Sequence, residues 1–233
     1  MNKSRELLGN KKPPHIRYGG ANKYIIAQND YQCQLNFNDF EELFSEERLG
    51  KFLDFTKNKE HALELYETDS KLSASLCEVL NYFEVGLRNN IDKSMSKIYG
   101  DWLKRTDLFD QYAVNIMEKN SKLSDYTFGF WQHIFGTGPH GSYDKMIWKP
   151  AIFNGLQHCK LSERKHIHKS LRHIRELRNR IAHQEPIVFG VRFGKENITL
   201  SVTDIVNDLL YVADKIDDRL VAILLELIGE NND

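Results

Sequence analysis

An arginine, an asparagine and a histidine lie close together in the stretch RELRNRIAHQEP, residues 175–186. The guanidinium of Arg178 keeps its charge, whereas the imidazole of His183 can titrate near neutral pH. A fixed cation and the amide of Asn179 beside such an imidazole are what metal-free cleavage of an RNA phosphodiester requires. The imidazole can take the proton of the ribose 2′-OH or protonate the leaving oxygen, while the arginine neutralises charge in the transition state.

The helix that carries these residues decides which of them can meet. Apolar residues over about 162–184 recur at helical spacing, and Arg178 falls within the stripe that they form. Pro186 predicts that this helix ends by Glu185, which leaves His183 in a last turn that can deviate from ideal geometry. The apolar stripe consists of Ile167, Leu171, Ile174, Leu177 and Ile181.

The polar residues of the helix fall on different faces. Asn179 and His183 are four residues apart and share one face, with Arg172 and Arg175 alongside them. Arg178 lies about 140° from His183 on an ideal helix, so one helix alone does not point both at one phosphate. A second copy of the helix across a two-fold axis would complete the site, and a homodimer is therefore part of the hypothesis.

Charge is balanced over the whole chain but concentrated in this helix. The 233 residues contain 32 Lys and Arg against 33 Asp and Glu, so a polyanion must be bound by a local patch. Residues 160–183 supply one, because they hold eight Lys or Arg but two Glu, together with four histidines. A solvated helix face is the alternative interpretation of such a run.

A second candidate set lies on the longest predicted helix, which starts after Asp69 and ends near Tyr99. Glu84 and Arg88 are four residues apart, in the order that favours an ion pair along a helix, and Asn89 follows. A surface pair of little consequence is the alternative interpretation from spacing alone.

Two further groups of residues have simpler explanations. His166 and His168 point about 200° apart on one helix, so with His158 and Cys159 they do not suggest a zinc site, and we assign no metal and no cofactor. Aromatic residues could stack on bases, yet at their spacings a place in the core is more common. These aromatic residues are Trp102, Phe128, Phe130, Trp131, Phe135 and Trp148.

The apolar periodicity predicts an all-α fold, with a small β-hairpin or an ordered loop near residues 187–201. Residues 1–22 are expected to be a flexible N-terminal arm, and residues 23–233 a single helical domain. The last helix is predicted from about Thr203 to Ile228. Three widely spaced cysteines and the lack of a long apolar run favour a cytoplasmic protein without membrane contact.

An ordered set of stretches, beyond any single motif, resembles the Abi-like proteins (AbiD/AbiF type) of bacterial abortive-infection phage defence, within the HEPN superfamily of helical ribonucleases. The run from Arg178 to His183 matches the Arg-x4-6-His signature, in which a polar residue often follows the arginine. The matching stretches follow the family's order: FSEERLGKFL (44–53), ALELY (62–66), LSASLCEVLNYFEVGLRNNI (72–91), YGDWL (99–103), TFGFWQHIF (127–135) and RNRIAHQEPI (178–187).

This resemblance implies a HEPN-like helical bundle, dimeric, whose two signature helices line a shared cleft. It also implies a metal-independent endoribonuclease whose products carry 2′,3′-cyclic phosphate and 5′-hydroxyl ends. By the same resemblance Arg178 would stabilise the transition state, Asn179 would position the phosphate or the histidine, and His183 would be the general acid and base. A toxin of this kind would need restraint, from an antitoxin protein or a small noncoding RNA.

The stretch FEVGLRNN also resembles an element of the family, so we expect Glu84 and Arg88 to lie near the cleft and to hold Arg178 or RNA. Asn89, Arg172 and Arg175 are expected to support substrate binding. The alternative function is a non-catalytic RNA-binding or assembly protein of a defence or toxin–antitoxin system, in which the cationic helix only holds phosphates.

Overall fold

Helices account for most of the chain in the computed structural model, which describes residues 36–194 and 196–230. The predicted all-α fold with a small β-hairpin is confirmed. The helices are α1 (Phe37–Phe44), α2 (Glu46–Thr56), α3 (Lys59–Tyr99), α4 (Gln111–Met117), α5 (Phe128–Ile134), α6 (Phe153–Gly155), α7 (Arg164–Ala182), α8 (Val202–Ile216) and α9 (Asp218–Glu230).

Shorter elements connect these helices. A π-helical segment, Asp144–Ile152, runs directly into α6. The hairpin pairs β1 (Val191–Phe193) antiparallel with β2 (Ile198–Leu200). Single turns of 3-10 helix lie at Trp102–Lys104, Thr106–Leu108, Leu123–Asp125, Pro139–Gly141 and Leu161–Glu163.

The chain divides into two compact units between Leu63 and Glu64. In the first unit α2 begins after Ser45, whose hydroxyl accepts a hydrogen bond from the Arg48 backbone, so Ser45 is the N-cap of this helix. The predicted arm, residues 1–22, lies outside the described residues. The expected single domain over 23–233 stays a prediction.

The longest helix starts earlier than its sequence suggests. It was expected to begin after Asp69, but α3 begins at Lys59 and continues through Asp69 to Tyr99. The reason is that the Asp69 carboxylate does not cap a helix start. It accepts hydrogen bonds from the backbone N–H groups of Ile187 (2.8 Å) and Val188 (2.7 Å), which follow the α7 C-terminus. Asp69 therefore ties the segment after the candidate site to α3.

We predict that Asp69→Ala lowers the free energy of unfolding by about 2–3 kcal/mol, because it leaves two N–H groups at a largely buried position without their charged acceptor. Asp69→Asn keeps an acceptor oxygen of the same shape and should lose less. Urea unfolding of the three proteins measures both changes. Equal stability of Asp69→Ala and wild type would show that these hydrogen bonds do not secure the segment.

The core lies between α3, α5, the π-helical segment, α7 and α8, and it is rich in aromatic side chains. The six aromatic residues named above are all buried, which confirms their assignment to the core rather than to base stacking. The apolar stripe of α7 is buried from Ile167 to Leu177, whereas Ile181 near its end is partly exposed. The inward face of α7 thus fixes the direction in which its polar residues point.

The expected single closing helix is wrong, because the chain breaks at Asp217 into α8 and α9. Asp217 has an extended backbone (φ −169°, ψ 130°), and its carboxylate accepts a hydrogen bond from the Arg219 backbone at 2.9 Å. An aspartate that binds a nearby N–H in this way favours a helix start over helix continuation.

Candidate active site at the end of α7

The C-terminus of α7 is closed by a Schellman motif. The backbone N–H of Glu185 donates to the Arg180 carbonyl at 2.8 Å, and that of Gln184 donates to the Ile181 carbonyl at 3.0 Å. Gln184 has the left-handed conformation (φ 55°) that this motif needs. His183 is the C-cap residue, with φ −92° and ψ 6°, so the helix ends just before the histidine.

His183 and Asn179 present unpaired side chains to solvent on one face of this end. The His183 side chain is exposed and makes no hydrogen bond or ion pair within the described residues. The partly exposed Asn179 side chain is also unpaired over the same ranges, while its carbonyl accepts the His183 N–H at 2.9 Å. An imidazole in this state can exchange protons with a ligand, because nothing in the described chain competes for its nitrogens.

Arg178 turns away from this face and toward α3. Its Nε lies 4.0 Å from Oε2 of Glu84, and the two side chains are 42% and 19% exposed, so a ligand can reach the guanidinium while the carboxylate holds it. Glu84 was expected near the cleft because of the family resemblance, and here it is the carboxylate that contacts Arg178. A guanidinium within an apolar stripe requires such a partner.

Arg88 and Asn89 take different positions from those that their spacing suggests. Among the described residues Glu84 forms no ion pair with Arg88 within 4.0 Å, so the expected pair along α3 is replaced by the contact with α7. The Arg88 Nε is buried without a hydrogen-bond partner in the same part of the chain. Asn89 is exposed, and it is the next residue, Asn90, that donates a structural hydrogen bond to the Gly155 carbonyl at 2.9 Å.

Burial raises the pKa of the Glu84 carboxyl above its ordinary value of 4.5, against the opposing charges of Arg178 and Arg88. The raised pKa means that ionised Glu84 is less favourable in the folded protein than in the unfolded chain. This cost is absent at acidic pH, where both states are protonated. It develops as the pH rises through the ordinary carboxyl range and beyond, so Glu84 reduces stability at neutral pH.

We therefore predict that Glu84→Gln is more stable than wild type at neutral pH, since it removes this cost while Arg178 stays partly solvated. The gain should shrink toward zero below about pH 4. Urea unfolding at the two pH values measures the difference. A Glu84→Gln protein that is less stable than wild type at neutral pH would show that the ion pair outweighs the burial.

Arg172 and Arg175 lie on the face of α7 that carries Asn179 and His183, as expected, but each has its own partner. Arg172 forms an ion pair with Glu196 and lies over the Phe193 ring, with 5.9 Å between Cζ and the ring centroid. Arg175 Nη1 donates to Oε1 of Gln132 in α5 at 3.2 Å. The arginines are thus held apart by elements distant in sequence.

Gln132 was missed by the sequence analysis, and His168 was considered there only as a metal ligand. Nε2 of Gln132 lies 2.6 Å from Nε2 of His168, so the amide joins His168 and Arg175, which are seven residues apart on α7. A signal existed, because Gln132 directly follows the aromatic run that contains Phe128, Phe130 and Trp131. With these residues α7 carries a polar stripe, defined as His168, Arg172, Arg175, Asn179 and His183.

A serine, an aspartate and a histidine also meet between α7 and α8, but they do not form a hydrolase triad. Asp208 binds both others, with 2.6 Å to Nδ1 of His173 and 2.6 Å to the hydroxyl of Ser170. Ser170 is 1% exposed and bonds to the carboxylate rather than to the imidazole. In a nucleophilic triad the histidine contacts the serine, so this cluster is a structural link between two helices.

Over residues 36–194 and 196–230, no three His, Cys, Asp or Glu side chains are grouped as a metal ion would require. None of the helices in these ranges combines the length and the apolar character needed to cross a membrane.

Comparison with known proteins gives no match: neither a family model, nor a curated protein, nor a solved structure matches the chain. The resemblance to the Abi-like HEPN proteins therefore stays a prediction, carried by the sequence stretches quoted above.

Proposed function

We propose that this chain is a metal-independent endoribonuclease of the HEPN type, acting as an Abi-like toxin of bacterial phage defence. The observation that carries the proposal is the presence of two complementary groups near the end of α7. Arg178 is an accessible cation held by Glu84, and His183 is an exposed imidazole without a partner in the described chain. Together they offer the fixed charge and the proton carrier that RNA transesterification needs.

The proposed reaction needs no water and no metal in its bond-changing step. One His183 imidazole takes the proton of the ribose 2′-OH, and O2′ attacks the adjacent phosphorus. The bond from phosphorus to the 5′-oxygen breaks, and this oxygen takes a proton from a second imidazole. The products are a 2′,3′-cyclic phosphate and a 5′-hydroxyl, while Arg178 neutralises the charge on the phosphorane-like transition state and Asn179 binds a phosphate oxygen.

A homodimer would bring an Arg178 and a His183 to the same phosphate, which one chain alone does not do. On an ideal helix Arg178 and His183 point about 140° apart. In the structure Arg178 is turned toward Glu84 on α3. Two α7 ends facing each other across a two-fold axis would set Arg178 of one subunit beside His183 of the other, and would supply the second imidazole. The proposed setting is the cytoplasm, with an antitoxin protein or a small noncoding RNA as the restraining partner.

The divergence of Arg178 and His183 within one chain favours one alternative, a non-catalytic RNA-binding or assembly protein. The test that separates the two is incubation in EDTA with one RNA sequence, its DNA counterpart and its 2′-O-methyl counterpart. The enzyme cuts only the RNA, because only RNA offers the 2′-OH nucleophile. Binding to all three without cutting any would support the alternative, and cutting of the DNA would exclude this mechanism.

A further inference from the structure

The amide of Gln132 is bonded on both sides by residues of α7. Gln132 is 9% exposed, and it lies between Arg175, whose Nη1 is 3.2 Å from Oε1, and His168, whose Nε2 is 2.6 Å from Nε2 of the amide. The Arg175 guanidinium also packs on the α5 backbone, where a Cβ at Gly129 would lie 3.4 Å from its Cζ. Gly129 thus leaves room for the Arg175 guanidinium, and Gln132 accepts its hydrogen bond.

These contacts determine which ring nitrogen of His168 carries the proton. A guanidinium only donates, so Oε1 of Gln132 must face Arg175 and the amide NH₂ must face His168. Nε2 of His168 then accepts, and the imidazole is neutral with its proton on Nδ1. Burial lowers the pKa of His168, and so do the positive charges of Arg172, Arg164 and His133, which agrees with a neutral ring.

Arg175 differs from its neighbours in charge compensation. Arg172 is paired with Glu196 and Arg178 with Glu84, but Arg175 has no carboxylate within 4.0 Å in the described part of the chain. The half-buried Arg175 guanidinium has a neutral partner, so its charge is not compensated within the described chain and is available to bind a carboxylate or a phosphate. Arg175 lies about 12 Å along the helix from His183 on the polar stripe, because eight residues separate them.

We propose that Arg175, aimed by Gln132, forms a subsite for a phosphate of the RNA substrate other than the one that is cleaved. Gln132 is a positioning residue in this proposal, since it contacts Arg175 rather than RNA. The inference rests on the proposed function for its ligand, but it concerns binding and not cleavage. RNA would run along the polar stripe, with the scissile phosphate at His183 and a neighbouring phosphate at Arg175.

Binding of a fluorescein-labelled 2′-O-methyl RNA oligonucleotide, which cannot be cut, tests the subsite in the full-length protein. Arg175→Gln should weaken binding about tenfold and lower the salt dependence by about 0.7 in the slope of log Kd against log salt, the value for one phosphate of a single strand. Gln132→Met keeps every charge but removes the amide that positions Arg175, and it should weaken binding several-fold. Arg192→Gln, which removes an exposed arginine from β1, is the control and should change Kd less than twofold.

The tautomer of His168 gives a second readout, because it reports which way the Gln132 amide faces. Long-range ¹H–¹⁵N spectra at neutral pH should show a protonated Nδ1 and a bare Nε2, with the signals assigned by their loss in His168→Gln. Gln132→Glu should move the proton to Nε2, which then donates to the new carboxylate. A wild-type His168 protonated at Nε2, or unchanged binding in both Arg175→Gln and Gln132→Met, would overturn the proposal.

These outcomes are separate from the fate of the proposed function. If probe affinity depends on Arg175 and Gln132 but the protein never cuts RNA, the subsite is retained and the proposed enzyme is excluded. If the protein cuts RNA but both variants bind the probe as tightly as wild type, the proposed enzyme is retained and the subsite is excluded. A wild-type protein that does not bind the probe also rules the subsite out.

Discussion

Replacing His183 with alanine is expected to lower the rate of RNA cleavage by a factor of about 10² to 10⁴, the usual contribution of a general acid or base. The affinity for uncleavable RNA should change little, because the exposed imidazole has no partner in the described chain and holds nothing in place. Stability should also stay near that of wild type, since His183 is the C-cap and the Schellman hydrogen bonds of α7 use only backbone groups.

The matched control is His61→Ala, which removes another exposed histidine from the N-terminal turn of α3. Single-turnover cleavage of one labelled RNA and anisotropy binding of its 2′-O-methyl counterpart give the two quantities for each protein. Loss of cleavage in His183→Ala but not in His61→Ala assigns the proton transfer to His183. Equal cleavage by His183→Ala and wild type would remove His183 from the mechanism.

Replacing Arg178 with alanine is expected to lower the cleavage rate by about 10² to 10³, the effect of losing one preorganised group that stabilises transition-state charge. Arg178→Lys keeps the charge but not the planar fork, so it should restore only part of the rate. Glu84→Gln should be slower than wild type as well, because Arg178 loses the carboxylate that holds it. Combined with its expected gain in stability, that loss would mark Glu84 as a residue kept for function.

Mixing the Arg178→Ala and His183→Ala proteins tests whether the two groups come from different subunits. If subunits exchange freely, half of the dimers are mixed, and each mixed dimer has one site with both an arginine and a histidine. The mixed dimers still lack the second imidazole, so the mixture should recover less than a quarter of the wild-type rate but clearly more than either variant alone. No recovery after verified subunit exchange would contradict the shared site.

Local patterns predicted the elements whose residues interact with near neighbours in sequence. The apolar stripe of α7 and the hairpin near residues 187–201 both follow from spacings within a few residues. The break at Asp217 and the early start of α3 were missed, since a single aspartate can either cap a helix or accept hydrogen bonds from residues distant in sequence. Asp69 serves the backbone of Ile187, 118 residues away, and no local pattern reports such a partner.

In the candidate site, too, residues could be predicted from local spacing, whereas contacts between helices could not. Arg178, Asn179 and His183 could be selected from their types and spacing, as could the shared face with Arg175. The roles of Glu84 and Gln132 depend on which helices pack against α7, so their contacts with Arg178 and Arg175 required the fold. Spacing along α3 pointed instead to an ion pair between Glu84 and Arg88, which the fold does not form.

The measurement that tests the central claim most directly is the chemistry of the product ends after cleavage of bacterial RNA in EDTA. Mass spectrometry of the fragments made by the wild-type protein should find 2′,3′-cyclic phosphate and 5′-hydroxyl ends, and the His183→Ala protein should make none of them. Fragments with 5′-phosphate and 3′-hydroxyl ends, or cleavage that EDTA abolishes, would contradict a metal-free attack by the 2′-OH.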